Sequence, residues 1–321
     1  MTSEKKPAMI HRRMFDLKNK SPEEIQHILS DAWLNIIVDE NTLHNPLNTL
    51  PDNAVDNPHL YYTWLMSQPE YFYFTCKHLF GIDLLPVQAL MLREMWNRKF
   101  PMLIASRGFG KSFILSIYAL LRALFMPKRK IVICGAAFRQ SKVIYEYING
   151  IWNNSDILRD IVGTNNSNGP RSMTDMCRFT IQDSMITALP IGNGDKIRGQ
   201  RANDILADEF ASITREIFET VIAGFAAVSA APADNVKARA EKKMRRMLNL
   251  SLSDEKPDDV LNKDNQIVIS GTAYYDFNHF GEYWKKWRQI INSQGKEKKL
   301  MEVFGSSEVP SDFHWDDYSI I

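Results

Sequence analysis

Residues 103–115 read Leu-Ile-Ala-Ser-Arg-Gly-Phe-Gly-Lys-Ser-Phe-Ile-Leu, a glycine-bearing loop that closes on Lys111-Ser112 between two apolar runs. These residue types suit the holding of phosphate. Backbone N–H groups at a strand-to-helix turn point at an anion, and the helix dipole adds favourable charge. Gly108 and Gly110 allow the backbone to wrap closely, Lys111 would reach the β- and γ-phosphates, and Ser112 would bind magnesium. Two features are unusual: Ala105 stands where such loops have glycine, and Arg107 lies inside the loop itself.

Further along, Asp-Ile-Leu-Ala-Asp-Glu-Phe (204–210) ends an apolar run in two adjacent acids. Acids at the carboxyl end of a strand stand where ligands bind in open α/β sheets. Asp208 could hold the magnesium through water, and Glu209 could polarise the water that attacks a γ-phosphate. Taken alone, the pair would serve equally well as a loop start and helix cap. Beside the phosphate loop it makes an ATPase-type site.

The flanking pattern must position these groups. Residues 101–106, 130–136, 203–210 and 265–273 are short apolar runs of buried-strand type, and 111–125 has helical length and composition. The segments after 138, 215 and 280 also read as helices, while Cys-Arg-Phe-Thr-Ile-Gln and Ser-Met-Ile-Thr-Ala-Leu-Pro-Ile form a hairpin or two neighbouring strands. Strands alternating with helices predict an α/β fold with a mostly parallel sheet flanked by helices. Residues 1–58 read as a helical and extended arm, with Ser21, Pro22 and Glu24 opening an amphipathic helix. Residues 59–290 form the main domain, 231–263 a charged insertion or lid, and 291–321 a tail or linker.

Composition excludes several classes. With 321 residues, 45% hydrophobic and 24% charged, the chain is long enough for a sizeable core. A net charge of +1 gives no overall basic field, so nucleic-acid contact would need a local patch. Three scattered cysteines suit neither a disulfide framework nor a zinc site. The amino terminus lacks a signal-peptide pattern, and the apolar stretch 113–126 is interrupted by Arg122 and too short for a membrane span. A soluble intracellular protein is expected.

At this point the residues resemble a known family. Ala-Ser-Arg-Gly-Phe-Gly-Lys-Ser (105–112) is similar to the deviant Walker A loop of the large terminase subunits of tailed bacteriophages, which carries an arginine before Gly-x-Gly-Lys. Leu-Leu-Pro-Val-Gln-Ala-Leu-Met-Leu (84–92) resembles the adenine-recognition segment, and Lys-Ile-Arg-Gly-Gln-Arg (196–201) the run leading into Walker B. Ile-Val-Ile-Ser-Gly-Thr (267–272) resembles the coupling motif, with Ser270, Gly271 and Thr272. The resemblance covers roughly residues 80–290 and implies a P-loop additional-strand catalytic-glutamate (ASCE) NTPase fold.

It also implies residue roles. ATP would be bound by Gln88 at the base and by Ser106, Arg107, Gly108, Phe109, Gly110, Lys111 and Ser112 at the phosphates, with Mg2+ on Ser112 and Asp208. Glu209 would be the catalytic carboxylate that polarises the water, Arg107 a sensor or charge stabiliser within its own subunit, and Arg198 a finger reaching a neighbour's γ-phosphate, with Arg201 second. The implied function is the ATP-hydrolysing motor of double-stranded DNA packaging. It would work in the host cytoplasm as a homo-oligomeric ring, a pentamer in the family, with the portal protein and small terminase subunit as partners and no membrane. Lys237, Arg239, Lys242, Lys243, Arg245 and Arg246 are candidates for DNA or portal contact. The nuclease that such subunits also carry has no counterpart here, since Asp316 and Asp317 alone cannot build a two-metal site. Alternatives are a helicase-like nucleic-acid-stimulated ATPase, or a nucleotide-binding scaffold that does not turn over, against which an intact Glu209 argues.

Overall fold

The computed structural model describes residues 65–126, 129–162, 168–173, 176–181, 183–190, 202–218, 265–272, 278–305, 309 and 313–321. The chain divides into two units, Met1–Gln68 and Pro69–Ile321. Of the first, the described part is a helical turn at 65–67, closed by the Gln68 N–H on Leu65 O at 3.1 Å. The expectations for residues 1–58 and for 231–263 lie outside the described residues.

Among the described residues the second unit has eight strands: β1 (Phe100–Ile104), β2 (Lys130–Gly135), β3 (Gly169–Ser172), β4 (Cys177–Ile181), β5 (Ser184–Pro190), β6 (Asp204–Ala207), β7 (Gln266–Gly271) and β8 (Tyr318–Ile320). They form one sheet in the order β3-β4-β5-β2-β6-β7-β1-β8. The pairs β2–β5, β2–β6, β6–β7, β1–β7 and β1–β8 are parallel, and β3–β4 and β4–β5 are antiparallel. The predicted mostly parallel sheet is therefore present, and the predicted hairpin is β4–β5. Strands β6 and β7 are buried along their whole length, and β2 is buried from Ile131 onward. That explains the apolar runs Ile131–Cys134, Ile205–Ala207 and Ile267–Ile269 within them, because a parallel sheet covered by helices leaves no face for alternating polar residues.

Besides a single turn at Arg215–Ile217, the described helices are α1 (Phe72–Phe80), α2 (Pro86–Asn97), α3 (Lys111–Phe125), α4 (Phe138–Asn154), α5 (Asp156–Val162), α6 (His279–Ser293) and α7 (Glu297–Phe304). Helix α3 is buried without a break from Ile114 to Ala123 and packs with α4 against β2 and β5. An apolar surface on every side marks such an interior helix. It stops where Met126 turns extended, immediately before Pro127 in the sequence, because proline disfavours helical geometry in its predecessor. Among the described residues no helix is long and apolar enough to cross a membrane.

The carboxyl-terminal segment differs from expectation. The sequence predicts a tail or linker for residues 291–321, yet Glu297–Phe304 is a helix and Tyr318–Ile320 pairs with β1 as the edge strand of the sheet. The pairing continues one residue further. The Ile104 N–H bonds Ile321 O, and the Ile321 N–H bonds Met102 O, both at 2.8 Å. Three residues are too few to show a strand period, so only the partner strand reveals this one.

At the end of the sheet opposite the acid pair lies a buried ionic cluster. Asp204 receives a bidentate bond from Arg122, Nη2 to Oδ1 at 2.6 Å and Nε to Oδ2 at 3.0 Å, and Arg129 approaches Oδ1 at 3.8 Å. The Arg122 guanidinium lies 5.0 Å from the Trp96 ring centroid. Next to Asp204 in the sheet register is Gln266, whose Oε1 is 2.5 Å from the Tyr118 hydroxyl and whose Nε2 donates to Met95 O at 2.7 Å. These bonds fasten the far end of α3 beneath β6 and β7.

Candidate active site

The loop from Ala105 to Gly110 links the carboxyl end of β1 to the first residue of α3. Gly108 and Gly110 sit at φ +82° and +91°, in the left-handed region that glycine enters without steric cost. Ser106, Arg107, Gly108 and Phe109 are exposed at the loop's outer face. The loop is tied to the neighbouring strand by the Ala105 N–H on Gly271 O at 3.3 Å.

Lys111 is buried, and its ammonium is folded back on the loop. Nζ donates to Ala105 O at 2.7 Å, to Ser106 O at 3.0 Å and to the Thr272 hydroxyl at 3.2 Å. All three donors of the ammonium are used, and one partner lies at the end of β7.

Asp208, the first of the two acids, faces the same place. Asp208 is 3% exposed and accepts from Ser112 Oγ at 3.0 Å, from Ser270 Oγ at 2.5 Å and from the Glu209 N–H at 3.0 Å. Its own N–H bonds Cys134 O on β2 at 2.9 Å. Asp208 is thus the node joining the phosphate loop, β2, β6 and β7. Burial, and after it the Asp208 charge, pushes the Cys134 thiol up to about 12.

Glu209 is half-buried and adopts φ 48°, ψ 48°. A non-glycine residue held in the left-handed region costs about 1–3 kcal/mol, and such strain persists only where the surroundings fix it. The Phe210 ring that follows is fully buried, with ring centroids of Phe218, His279, Phe280 and Tyr283 at 4.7, 5.1, 5.6 and 5.5 Å.

Gln88 sits in the first turn of α2, where its Oε1 accepts the Leu85 N–H at 3.0 Å. A methyl group added at Gly110 would lie 3.8 Å from Gln88 Nε2, so the amide's donor end faces the phosphate loop. Sequence reasoning brought together Gln88, Lys111, Ser112, Asp208, Ser270 and Thr272, and the structure gathers these around the loop. Arg198, Arg201 and the basic residues 237–246 lie outside the described residues. The Cys134 carbonyl and the amino end of α6, with Asn278 and His279 against the residues after Glu209, were not singled out. Asn278 could have been found as a helix N-cap, because its side chain accepts the Phe280 N–H.

The strand that leads to the loop and the strand that ends in the acid pair are not neighbours, since β7 is inserted between them. A phosphate loop, an Asp-Glu pair and an additional strand between them define a P-loop ASCE NTPase. The sequence itself carries the assignment further: residues 102–309 match the family described as terminase large subunit, T4likevirus-type, N-terminal. The chain belongs to that family, the large terminase subunits that are the motor proteins of viral DNA packaging. No curated protein matches the sequence.

Solved structures with a similar course include the large terminase ATPase domain of Thermus phage P74-26 (14% identity, TM-score 0.44, covering 77% of this chain and 83% of that one). Another is the large terminase of bacteriophage HK97 (12%, TM-score 0.43, 73% and 41%). A third is the large terminase of a thermophilic bacteriophage in complex with ATP-gamma-S (13%, TM-score 0.31, 63% and 49%). At such values the family match, not these likenesses, carries the assignment. The chain spans less than half the length of the second and third of these proteins.

Proposed function

We propose that this chain hydrolyses ATP with magnesium at the loop-and-acid site and couples each turnover to movement of double-stranded DNA. The observation that carries this reading is the 3.0 Å bond between Ser112 and Asp208, which joins the phosphate loop to the acid strand. Magnesium suits these two oxygen donors, because a hard cation with few protein ligands and several waters or phosphate oxygens is its usual state. Ser112 and Asp208 would hold it, and when bound it supplies neutralisation of charge on the phosphate oxygens.

The chain's own residues do the rest. The loop N–H groups and Lys111 bind the β- and γ-phosphates, so the ammonium must leave the Ala105 and Ser106 carbonyls and the Thr272 hydroxyl. Nucleotide entry therefore releases a bond to the end of β7, which is how Ser270, Gly271 and Thr272 would sense occupancy. Glu209 accepts the proton of the attacking water, Gln88 reads the base, and Arg107 steadies charge from within the loop. Arg198 is the finger supplied by the neighbouring subunit, with Arg201 second. The assembled motor is a ring, a pentamer by family resemblance, acting in the host cytoplasm with portal and small terminase subunit. Lys237, Arg239, Lys242, Lys243, Arg245 and Arg246 contact DNA or portal.

The test is ATP hydrolysis per subunit over a wide range of protein concentration. The specific rate should rise with concentration, and Arg198→Ala should lower it by ~10³ or more while ATP still binds. A rate independent of concentration and untouched by Arg198→Ala would mean that the site is complete within one chain.

A further inference from the structure

Glu209 has a backbone conformation that its own side chain does not favour, so something beyond its strand must hold it there. The residues that follow it are gripped largely by one element, α6. The Asn278 amide donates to Ala211 O at 3.3 Å, His279 Nε2 lies 3.2 Å from Phe210 O, and Phe210 is enclosed by rings of which three, those of His279, Phe280 and Tyr283, belong to α6. The Glu209 carbonyl closes the turn by accepting the Ser212 N–H at 2.8 Å. The Asn278 amide can be oriented in one way only, since its Oδ1 accepts the Phe280 N–H at 3.0 Å while its Nδ2 faces a carbonyl.

The coupling strand presses on the same cluster. A methyl group added at Gly271 would lie 3.1 Å from Phe280 Cε1 and 3.6 Å from the Phe210 backbone nitrogen. A shift at the end of β7 therefore meets Phe280 and the backbone next to Glu209 directly.

We infer that Asn278 is a positioning residue for Glu209: one side-chain amide both caps α6 and clasps the turn that holds the general base. This rests on the reading of Glu209 as the group that polarises water. Asn278 is placed to work indirectly. It acts through the Ala211 carbonyl, keeping the Glu209–Ser212 turn docked on α6, and α6 becomes the element through which the end of β7 can reset the catalytic carboxylate.

The two bonds of Asn278 can be separated. Asn278→Asp keeps an acceptor for the Phe280 N–H but replaces the donor facing Ala211 O with a second acceptor. Asn278→Ala loses both. With the full chain, kcat for ATP hydrolysis, affinity for a fluorescent ATP analogue and melting temperature are measured for each, with Glu209→Gln as control. The expected result for Asn278→Asp is kcat lower by ~3–10-fold, as for loss of one hydrogen bond, with analogue affinity and melting temperature unchanged. Asn278→Ala should lower the melting temperature as well. Wild-type kcat in Asn278→Asp beside a dead Glu209→Gln overturns the inference. So does a parallel fall of kcat, affinity and melting temperature in Asn278→Asp, which marks a merely structural role. An active Glu209→Gln instead removes the reading on which the inference rests.

Discussion

Asp204→Asn isolates the buried ion cluster from the nucleotide site. Asp204 and Arg122 are 0% and 1% exposed, and both oxygens of the carboxylate are bound by the guanidinium. Burial works to lower the Arg122 pKa, but the Asp204 charge and its hydrogen bonds outweigh it and raise the pKa above the ordinary arginine value. The guanidinium therefore cannot escape its burial by losing a proton. One of its atoms, Nη1, is already without a hydrogen-bond partner among the described residues. Asparagine in place of Asp204 leaves the positive charge uncompensated, and breaking a buried pair in this way costs about 3–5 kcal/mol. At roughly 2–4 °C per kcal/mol for a domain of this size, melting should fall by roughly 6–20 °C. Asp204 opens β6 and Asp208 directly follows its last residue, four positions on and roughly 13 Å away at strand spacing, so ATP-analogue affinity in the cold should be unchanged. The assay is thermal and urea unfolding followed by circular dichroism, with the double variant Arg122→Met/Asp204→Leu alongside. The double variant should recover most of the loss, because an apolar pair of similar volume replaces a buried ion pair at little cost. A cost under about 1 kcal/mol for Asp204→Asn, or a double variant less stable than the single one, refutes the argument.

Two further outcomes follow from the same structure. Lys111→Ala removes the ammonium that bonds Ala105, Ser106 and Thr272, so ATP-analogue affinity should fall by tenfold or more, on the order of 1.4 kcal/mol, in a titration, while the melting temperature changes little; unchanged affinity would remove Lys111 from the phosphate site. Cys134 ionises at 9.0 as a free thiol and at about 12 when folded, so its contribution is complete below pH 9 and is lost as pH rises from about 9 to 12. Urea midpoints should therefore decline across that window, and Cys134→Ala should flatten part of the decline; midpoints that hold constant to pH 12 would contradict it.

How far the sequence foretold this structure depended on how local each signal is. Helix α3 was legible from end to end, because Gly110 opens it, Pro127 limits it and nothing between them interrupts its formers. The buried strands β2, β6 and β7 were legible as apolar runs, although β6 ends sooner than expected, since the chain turns at Glu209. The insertion of β7 between β6 and β1 was not legible from spacing, because strand order is settled by tertiary pairing; only the family resemblance anticipated it. Arg122 looked like an interruption in an apolar stretch, and its partner Asp204 lies 82 positions away. For the site, Lys111, Ser112, Asp208 and Glu209 announced themselves through motif and position. The clasp of Asn278 on Ala211 did not, because a carbonyl acceptor leaves no trace in residue type.

Above all, loop and acid pair are read as one hydrolytic site in which Glu209 drives turnover and does not secure binding. The direct measurement is magnesium-dependent ATP hydrolysis by wild type and Glu209→Gln, with analogue affinity measured on the same preparations. The expected result is equal affinity and a hydrolysis rate lower by ~10²-fold or more in Glu209→Gln, within the usual reach of a general base. Equal hydrolysis rates in the two proteins would contradict that role for Glu209.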